Sequence, residues 1–335
     1  MFYKNGVAVV GDMFKATYDA NENDRIEKDA IGITLNKLLK GAGIGVIPDE
    51  IDVPAGGGMA IYGDGYDGDL TVNADPFTSG ALIVNNALQR DAFFQHLTIN
   101  ATRKIETNGY RIVAQGTLTN NGTIERNGND GETGKDSALA AGGSALVAGS
   151  LGASGAGGAG NELAGSDGDN VDPALGGKGG AGGASGGNAG GARGTVTEPT
   201  SKSRASPFAI LLEDGGAKVK GGAGGGGGGG AGTGGSGGGG GGGGAGVLCI
   251  IAKTIVNTSG VIEANGGNGG DGTDAGAGDG GGGGGGGGGL VVLVYNTLTT
   301  GWVEQALGGD KGIGAGGAID GNNGLGGTVI RISNV

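Results

Sequence analysis

Apolar and polar residues alternate with a period of two over much of residues 59–128. Short examples are Leu70–Asn73, Leu82–Asn85 and Leu97–Asn100, each of which ends in Asn. Because strand side chains point alternately to opposite faces, the pattern predicts short strands that end in tight turns. Successive segments are only 7 to 15 residues apart, which leaves no room for crossover helices. We therefore expect the stacked coils of a β-helix or a compact sandwich.

An internal repeat links two distant parts of the chain. Segments 112–128 and 250–266 align without a gap, and seven of the 17 positions are identical. The shared residues include Gly122/Gly260, Ile124/Ile262, Glu125/Glu263 and Asn127/Asn265. A weaker third copy covers 293–304, and a fourth begins at Thr328. The repeat predicts one stack of strands that is interrupted by glycine-rich excursions.

Residues 1–54 are predicted to form a separate N-terminal piece. Phe2–Val10 has the composition of a short strand, and apolar residues from Ile26 to Leu39 then recur at helical spacing before Gly41. We predict one α-helix here, and its residues Ile31, Leu35 and Leu38 are candidates for attachment to a larger particle. The alternative, in which this stripe packs on the strands of its own piece, stays open.

The glycine content decides the character of the rest of the chain. Of 335 residues 92 are Gly and only 6 are Pro, without a Gly-X-Y period, which excludes collagen. The uninterrupted runs are 224–230, 237–244 and 280–289. Runs 237–244 and 280–289 lead into the apolar strand-like segments that begin at Val247 and Leu290, which favours packed main chain over a flexible linker. We expect extended helices with three residues per turn, packed into a bundle.

Charge and candidate chemistry narrow the functional classes. The formal charge is −12 without a block of Lys and Arg, so we do not expect nucleic-acid binding. The start of the chain lacks a signal pattern, and no apolar run approaches 18 residues, so we expect cytoplasmic synthesis and no membrane insertion. His96 is the only histidine and Cys249 the only cysteine. No cofactor or metal site is predicted.

Two features resemble bacteriophage structural proteins. The run 97–124, with Thr107–Ile112 and Gly116–Ile124, is similar to a segment of phage tail and head-fibre proteins, and Tyr62–Val72 belongs to the same pattern. The glycine blocks between 129 and 327 resemble the distal adhesins of T-even-type tail fibres. In that family, layered polyglycine helices support tip loops that touch the bacterial receptor.

The residues and the resemblance together predict the following organisation. The fold class is all-β: short stacked strands of the β-helix or sandwich type, interrupted by packed polyglycine II-type helices, with one N-terminal α-helix. The domains are 1–54, 55–128 and 129–335. The predicted receptor-contact residues at exposed tips are Glu162, Asp167, Asp169, Glu198, Lys202 and Arg204.

The predicted function is that of a non-enzymatic fibre or adhesin on a phage virion surface, and we favour a homotrimer. Its partners would be other virion proteins and a bacterial surface receptor. The first alternative is a capsid decoration or head-fibre protein without a specific receptor. The second is a polysaccharide depolymerase, which needs two carboxylates that flank a sugar. Because Glu125 and Glu263 occupy equivalent repeat positions, a structural role for them is favoured.

Overall fold

The structure is a computed structural model that describes residues 61–334, apart from 137, 198–217, 233–235, 275–277 and 302–303, and four short strands before residue 61. The chain divides into two compact units, Met1–Ile61 and Tyr62–Val335. The boundary predicted near residue 128 lies inside the second unit.

The described part of the N-terminal unit consists of two strand pairs. Strand β1 (Phe2–Lys4) pairs antiparallel with β2 (Val7–Val9), and β3 (Lys37–Leu39) pairs antiparallel with β4 (Glu50–Asp52). The helix prediction is wrong at residues 37–39, where the backbone hydrogen bonds go to β4 rather than along a helix. Leu38 lies in β3, whereas Ile31, Leu35 and the rest of the predicted helix lie outside the described residues.

The second unit contains two sheets of six strands each. Its strands are β5 (Gly68–Val72), β6 (Ile83–Val84), β7 (Ala87–Leu88), β8 (Ala92–Ile99), β9 (Lys104–Glu106), β10 (Ile112–Asn120), β11 (Thr123–Glu125), β12 (Val247–Asn257), β13 (Val261–Glu263), β14 (Leu290–Thr300), β15 (Glu304–Gln305) and β16 (Thr328–Ser333). Sheet 1 has the order β5-β8-β10-β12-β14-β16, and sheet 2 has the order β6-β7-β9-β11-β13-β15. From β8 onward, successive strands alternate between the two sheets.

The predicted fold class is wrong. The two sheets are mostly parallel, only β6 and β7 pair antiparallel within them, and no helix occurs among the described residues. Mostly parallel pairing is shared with α/β-type folds, in which helical crossovers cover the sheet. Here extended glycine segments make several of the long connections. The period-two pattern predicts strands but not their direction, which depends on where each connection returns.

The internal repeat corresponds to the strand register. Ile112 lies beside Ile250, and Ile250 lies beside Leu293; in sheet 2, Ile124 lies beside Ile262. The gapless alignment departs from the structure at the bulge of β10 between Ala114 and Thr117, after which Thr117 lies beside Thr254. The aligned register is regained by Thr123, which lies beside Val261. The repeat is therefore a set of neighbouring strands in one stack.

The hydrophobic core lies along the inward-facing positions of both sheets. Leu97, Leu118 and Ile255 form one fully buried column of sheet 1, and Ile105, Ile124 and Ile262 form another in sheet 2. These residues belong to one contiguous cluster. Burial of a side chain of this size contributes about 1.5–3 kcal/mol, so the columns stabilise the stack against the entropy of ordering it.

The longest glycine run, 280–289, is surrounded by other main chain. Its first three N–H donors bond the carbonyls of Gly229, Ile319 and Gly270, which lie in three different segments. The N–H groups that follow bond the same three segments in the same order, three residues further along each segment. Its carbonyls accept in the same rotation from the segments that contain Gly239, Gly183 and Gly312. This threefold rotation is that of an extended helix with three residues per turn. Every N–H from 281 to 289 has a partner, which offsets the entropy of ordering glycine.

The number of neighbours explains the composition of each glycine segment. The runs 221–230 and 237–245 are enclosed in the same way as 280–289, and an added Cβ would lie within about 3 Å of a neighbouring backbone atom at nearly every position. The outer segments instead have an open side, where a side chain occurs at every third residue. Examples are Asn265, Asn268 and Asp271, whose side-chain oxygens accept N–H groups of the adjacent segment.

Candidate functional site

The bundle has one end at the sheets and one end away from them. Main chain leaves the sheets after β11, β13 and β15 and returns at β12, β14 and β16, so every outward segment must reverse at the far end. We name the described residues at these reversals the distal cap: 135–136, 138–139, 161–164, 185–188, 230–232, 236, 273–274, 278–279 and 314–318.

Hydrogen bonds between the reversals hold the cap together. Gly232 N–H donates to the Glu162 carbonyl at 2.8 Å, and Asn188 Nδ2 donates to the Gly230 carbonyl at 2.8 Å. Ser185 Oγ donates to the Asp279 carbonyl at 2.5 Å. The cap is thus a connected surface, fixed on a fully hydrogen-bonded base.

Four aliphatic side chains stand exposed at this end of the bundle. Leu139 and Leu163 lie within the cap and are 59% and 57% exposed. Ile313 and Ile319 flank the last reversal and are 61% and 63% exposed. Ile313 and Ile319 belong to neighbouring segments, since Gly321 N–H donates to the Gly312 carbonyl at 3.0 Å. A group of exposed aliphatic residues at one end is typical of a contact surface.

Ion pairs lie beside the aliphatic residues. Lys135 pairs with Glu132, and Lys311 pairs with Asp320 at 2.8 Å. Hydrogen bonds from these lysines, and to a smaller extent from backbone N–H groups, lower the pKa of Glu132 and of Asp320. Both carboxylates therefore stay charged at neutral pH and give the aliphatic face a polar rim.

The structure separates the predicted tip residues. Glu162 lies in the distal cap, half-buried. Asp167 and Asp169 lie along segment 163–171 instead, where their carboxylates accept the N–H groups of Ala192 at 2.7 Å and Ala156 at 3.1 Å. They connect neighbouring segments of the bundle. The other three predicted tip residues lie outside the described residues: Glu198, Lys202 and Arg204.

The sequence reasoning overlooked the aliphatic residues of the cap. For Ile313 and Ile319, which flank the cap, a signal was present: an apolar residue at every sixth position of the last excursion, Leu307, Ile313, Ile319 and Leu325. With three residues per turn, that spacing keeps a side chain on one side of an extended helix. Only the paths of the segments show that Ile313 and Ile319 lie at the far end.

The glutamates of the repeat form a polar ladder on sheet 2. Glu106, Glu125, Glu263 and Gln305 are successive cross-strand partners. Lys104 Nζ donates to both Glu106 and Glu125, at 2.9 and 2.8 Å, and Asn127 Nδ2 donates to Glu263 at 2.8 Å. Because these bonds connect neighbouring strands, a structural role explains why Glu recurs at this position of the repeat.

Within the described ranges, no group of three or more His, Cys, Asp or Glu residues could hold a metal ion. None of the described elements is a helix long and apolar enough to cross a membrane. The chain matches no protein-family model, no curated protein and no solved structure.

Proposed function

We propose that this chain is a non-enzymatic surface protein of a bacteriophage virion, a fibre or adhesin whose distal cap contacts the host cell. The observation that carries the proposal is the fixed placement of exposed aliphatic residues at the far end of the glycine bundle. A bundle whose backbone groups are paired is stiff, so it can hold a contact surface away from the particle without loss of orientation.

The resemblance of 59–128 to phage fibre proteins supports the virion location. In this proposal, the N-terminal unit attaches the chain to other virion proteins and the second unit projects outward. A homotrimer remains our prediction for the assembled state. Light scattering on the purified protein tests it, because a trimer would have three times the 31.6 kDa chain mass.

Electron microscopy with an antibody against the glycine bundle tests the location. The proposal expects label on the outside of the particle, at a fibre or tail tip. Label spread evenly over the capsid, together with unchanged adsorption by particles that lack the protein, would favour the decoration protein instead.

A pair of matched variants tests the contact surface. Leu163→Ser removes an exposed aliphatic side chain from the cap, and Leu307→Ser removes one of similar exposure, 56%, at the sheet end of the bundle. We expect Leu163→Ser, combined with Leu139→Ser, to weaken cell adsorption about tenfold, which corresponds to roughly 1.4 kcal/mol. Leu307→Ser should leave adsorption unchanged. Equal adsorption by all variants would contradict a role for the cap.

A further inference from the structure

A cleft lies at the sheet end of the bundle, opposite the distal cap, where the first glycine segment leaves sheet 2. This cleft has a volume of about 230 Å³ and is lined by Glu106, Glu125, Arg126, Asn127, Gly128, Asn129 and Leu146. It is separate from the distal cap in sequence and position. We propose that it binds one unit of a neutral saccharide.

Arg126 is the first observation that points to a ligand. Its side chain is buried, with 7% exposure, and none of its described contacts is an ion pair with a carboxylate. Its guanidinium donates to Asn108 Oδ1 at 3.2 Å and to the Val147 carbonyl at 2.7 Å, while Nε has no partner in the described structure. Burial lowers the pKa of this group. A buried cation with unused donors is costly unless another acceptor completes its hydrogen bonds.

The backbone is adapted to hold this arginine. A Cβ on Gly246 would lie 2.6 Å from Arg126 Cγ, and one on Gly109 would lie 3.4 Å from the guanidinium. Gly246 leaves room for the arginine because it has no Cβ, whereas a Cβ at Gly109 would first meet the backbone N of Gly149, at 2.8 Å. The arginine is therefore built into the fold at this point and is not a chance surface residue.

The repeat gives an independent argument. Glu125 and Asn127 recur as Glu263 and Asn265, which are ladder positions. Arg126, by contrast, corresponds to Ala264, and Asn129 corresponds to Gly267. A stack can thus be built without these two side chains. Both of them line the cleft, which indicates a local purpose beyond stacking.

The charges of the cleft select an uncharged ligand. Lys104 and Arg126 balance Glu106 and Glu125, so neither an anion nor a cation is favoured overall. Only one carboxylate oxygen of Glu106 is engaged by Lys104, and Asn129 donates to the Ser144 carbonyl while its Oδ1 has no partner among the described residues. Hydroxyl groups can donate to these acceptors and accept from arginine.

Size and shape agree with a single sugar ring. One water needs about 10–15 Å³ of cavity volume, so a cleft of about 230 Å³ has room for a ligand the size of a sugar ring. Half-buried Leu146 supplies an apolar wall against which the C–H face of a ring can pack. One unit in an open cleft should bind only at about millimolar concentration, and several copies of the chain would raise the avidity.

Saturation-transfer NMR on the full chain tests this inference with glucose, galactose, mannose, N-acetylglucosamine and rhamnose, and with glucuronate as the charged comparison. We expect transfer to at least one neutral sugar and a weaker signal for glucuronate. Glu106→Ala and Asn129→Ala, both at exposed or half-exposed side chains, should each weaken binding tenfold or more. The matched control Glu132→Ala removes a lysine-paired carboxylate outside the cleft and should bind as the parent protein does.

Three outcomes would overturn the inference: no transfer to any neutral sugar at 50 mM, with roughly millimolar binding as the expectation; a preference for glucuronate; or equal binding by all three variants. Circular dichroism of each variant keeps a folding defect distinct from a loss of binding. Since the assay does not involve the distal cap, its failure would leave the proposed adhesin function untouched.

Discussion

Replacement of one enclosed glycine should destabilise the bundle far more than replacement of an open one. Gly284 lies in the middle of run 280–289, and a Cβ there would meet the Gly180 carbonyl oxygen at 2.2 Å. An ordinary contact needs about 3.5 Å, so segment 177–183 would have to move by roughly 1 Å. Its N–H groups donate to the run at Gly288, Gly285 and Gly282 over 2.7–2.8 Å. A shift of that size takes these bonds beyond hydrogen-bonding distance.

The expected magnitude follows from the bonds at risk. Three hydrogen bonds at about 0.5–1.5 kcal/mol each, or an overpacking strain of about 1–3 kcal/mol, place the loss of stability for Gly284→Ala at about 2–4 kcal/mol. Gly326→Ala is the matched control, because its Cβ would meet only the Ala306 carbonyl oxygen at 3.5 Å. Alanine there should be neutral or stabilise by up to about 1 kcal/mol, through the unfolded state.

Urea unfolding monitored by circular dichroism measures the free energy of unfolding of both variants. An unchanged slope of this free energy against urea concentration shows that only stability differs. If Gly284→Ala unfolds within about 0.5 kcal/mol of Gly326→Ala, the main-chain packing described for the run is incorrect.

Three further predictions concern the stack. Asn120→Ala should cost about 2–4 kcal/mol in urea unfolding, because Asn120 is buried and its Nδ2 donates to Asn257 at 3.0 Å. Asn121→Ala, at a half-buried side chain, should change stability by less than about 1 kcal/mol. Burial raises the pKa of Cys249 to about 12, so a disulfide reagent at pH 8 should label it only after unfolding. Labelling of the folded protein at the unfolded rate would contradict its burial. Hydrogen bonds to Glu125 and Glu106 raise the pKa of Lys104, so its contribution to stability should be complete below about pH 10.4 and decline as pH rises through the raised value. Thermal midpoints of the parent and Lys104→Gln between pH 7 and 11 check this, and a gap that widens with pH would contradict it.

Much of the local organisation can be predicted from residue patterns. The gapless match of 112–128 to 250–266 corresponds to neighbouring strands, apart from the bulge after Ala114. The absence of side chains in run 280–289, directly before Leu290, favours packed main chain over a linker, in agreement with its hydrogen bonds. Both are properties of short segments, which is why sequence alone reveals them.

Strand direction and the placement of functional residues depend on distant parts of the chain. The same period-two segments would suit an antiparallel sandwich. They pair parallel because each connection, whether a short loop or a glycine excursion, brings the chain back to the same end of sheet 1. The position of Ile313 at the far end follows from the last excursion, and the convergence of Arg126 with Glu106 follows from the pairing of β11 with β9. The sequence alone indicates that the backbone N–H groups of these segments need partners, because an unpaired buried group costs free energy. Which segment supplies each partner is decided only when all the excursions pack together.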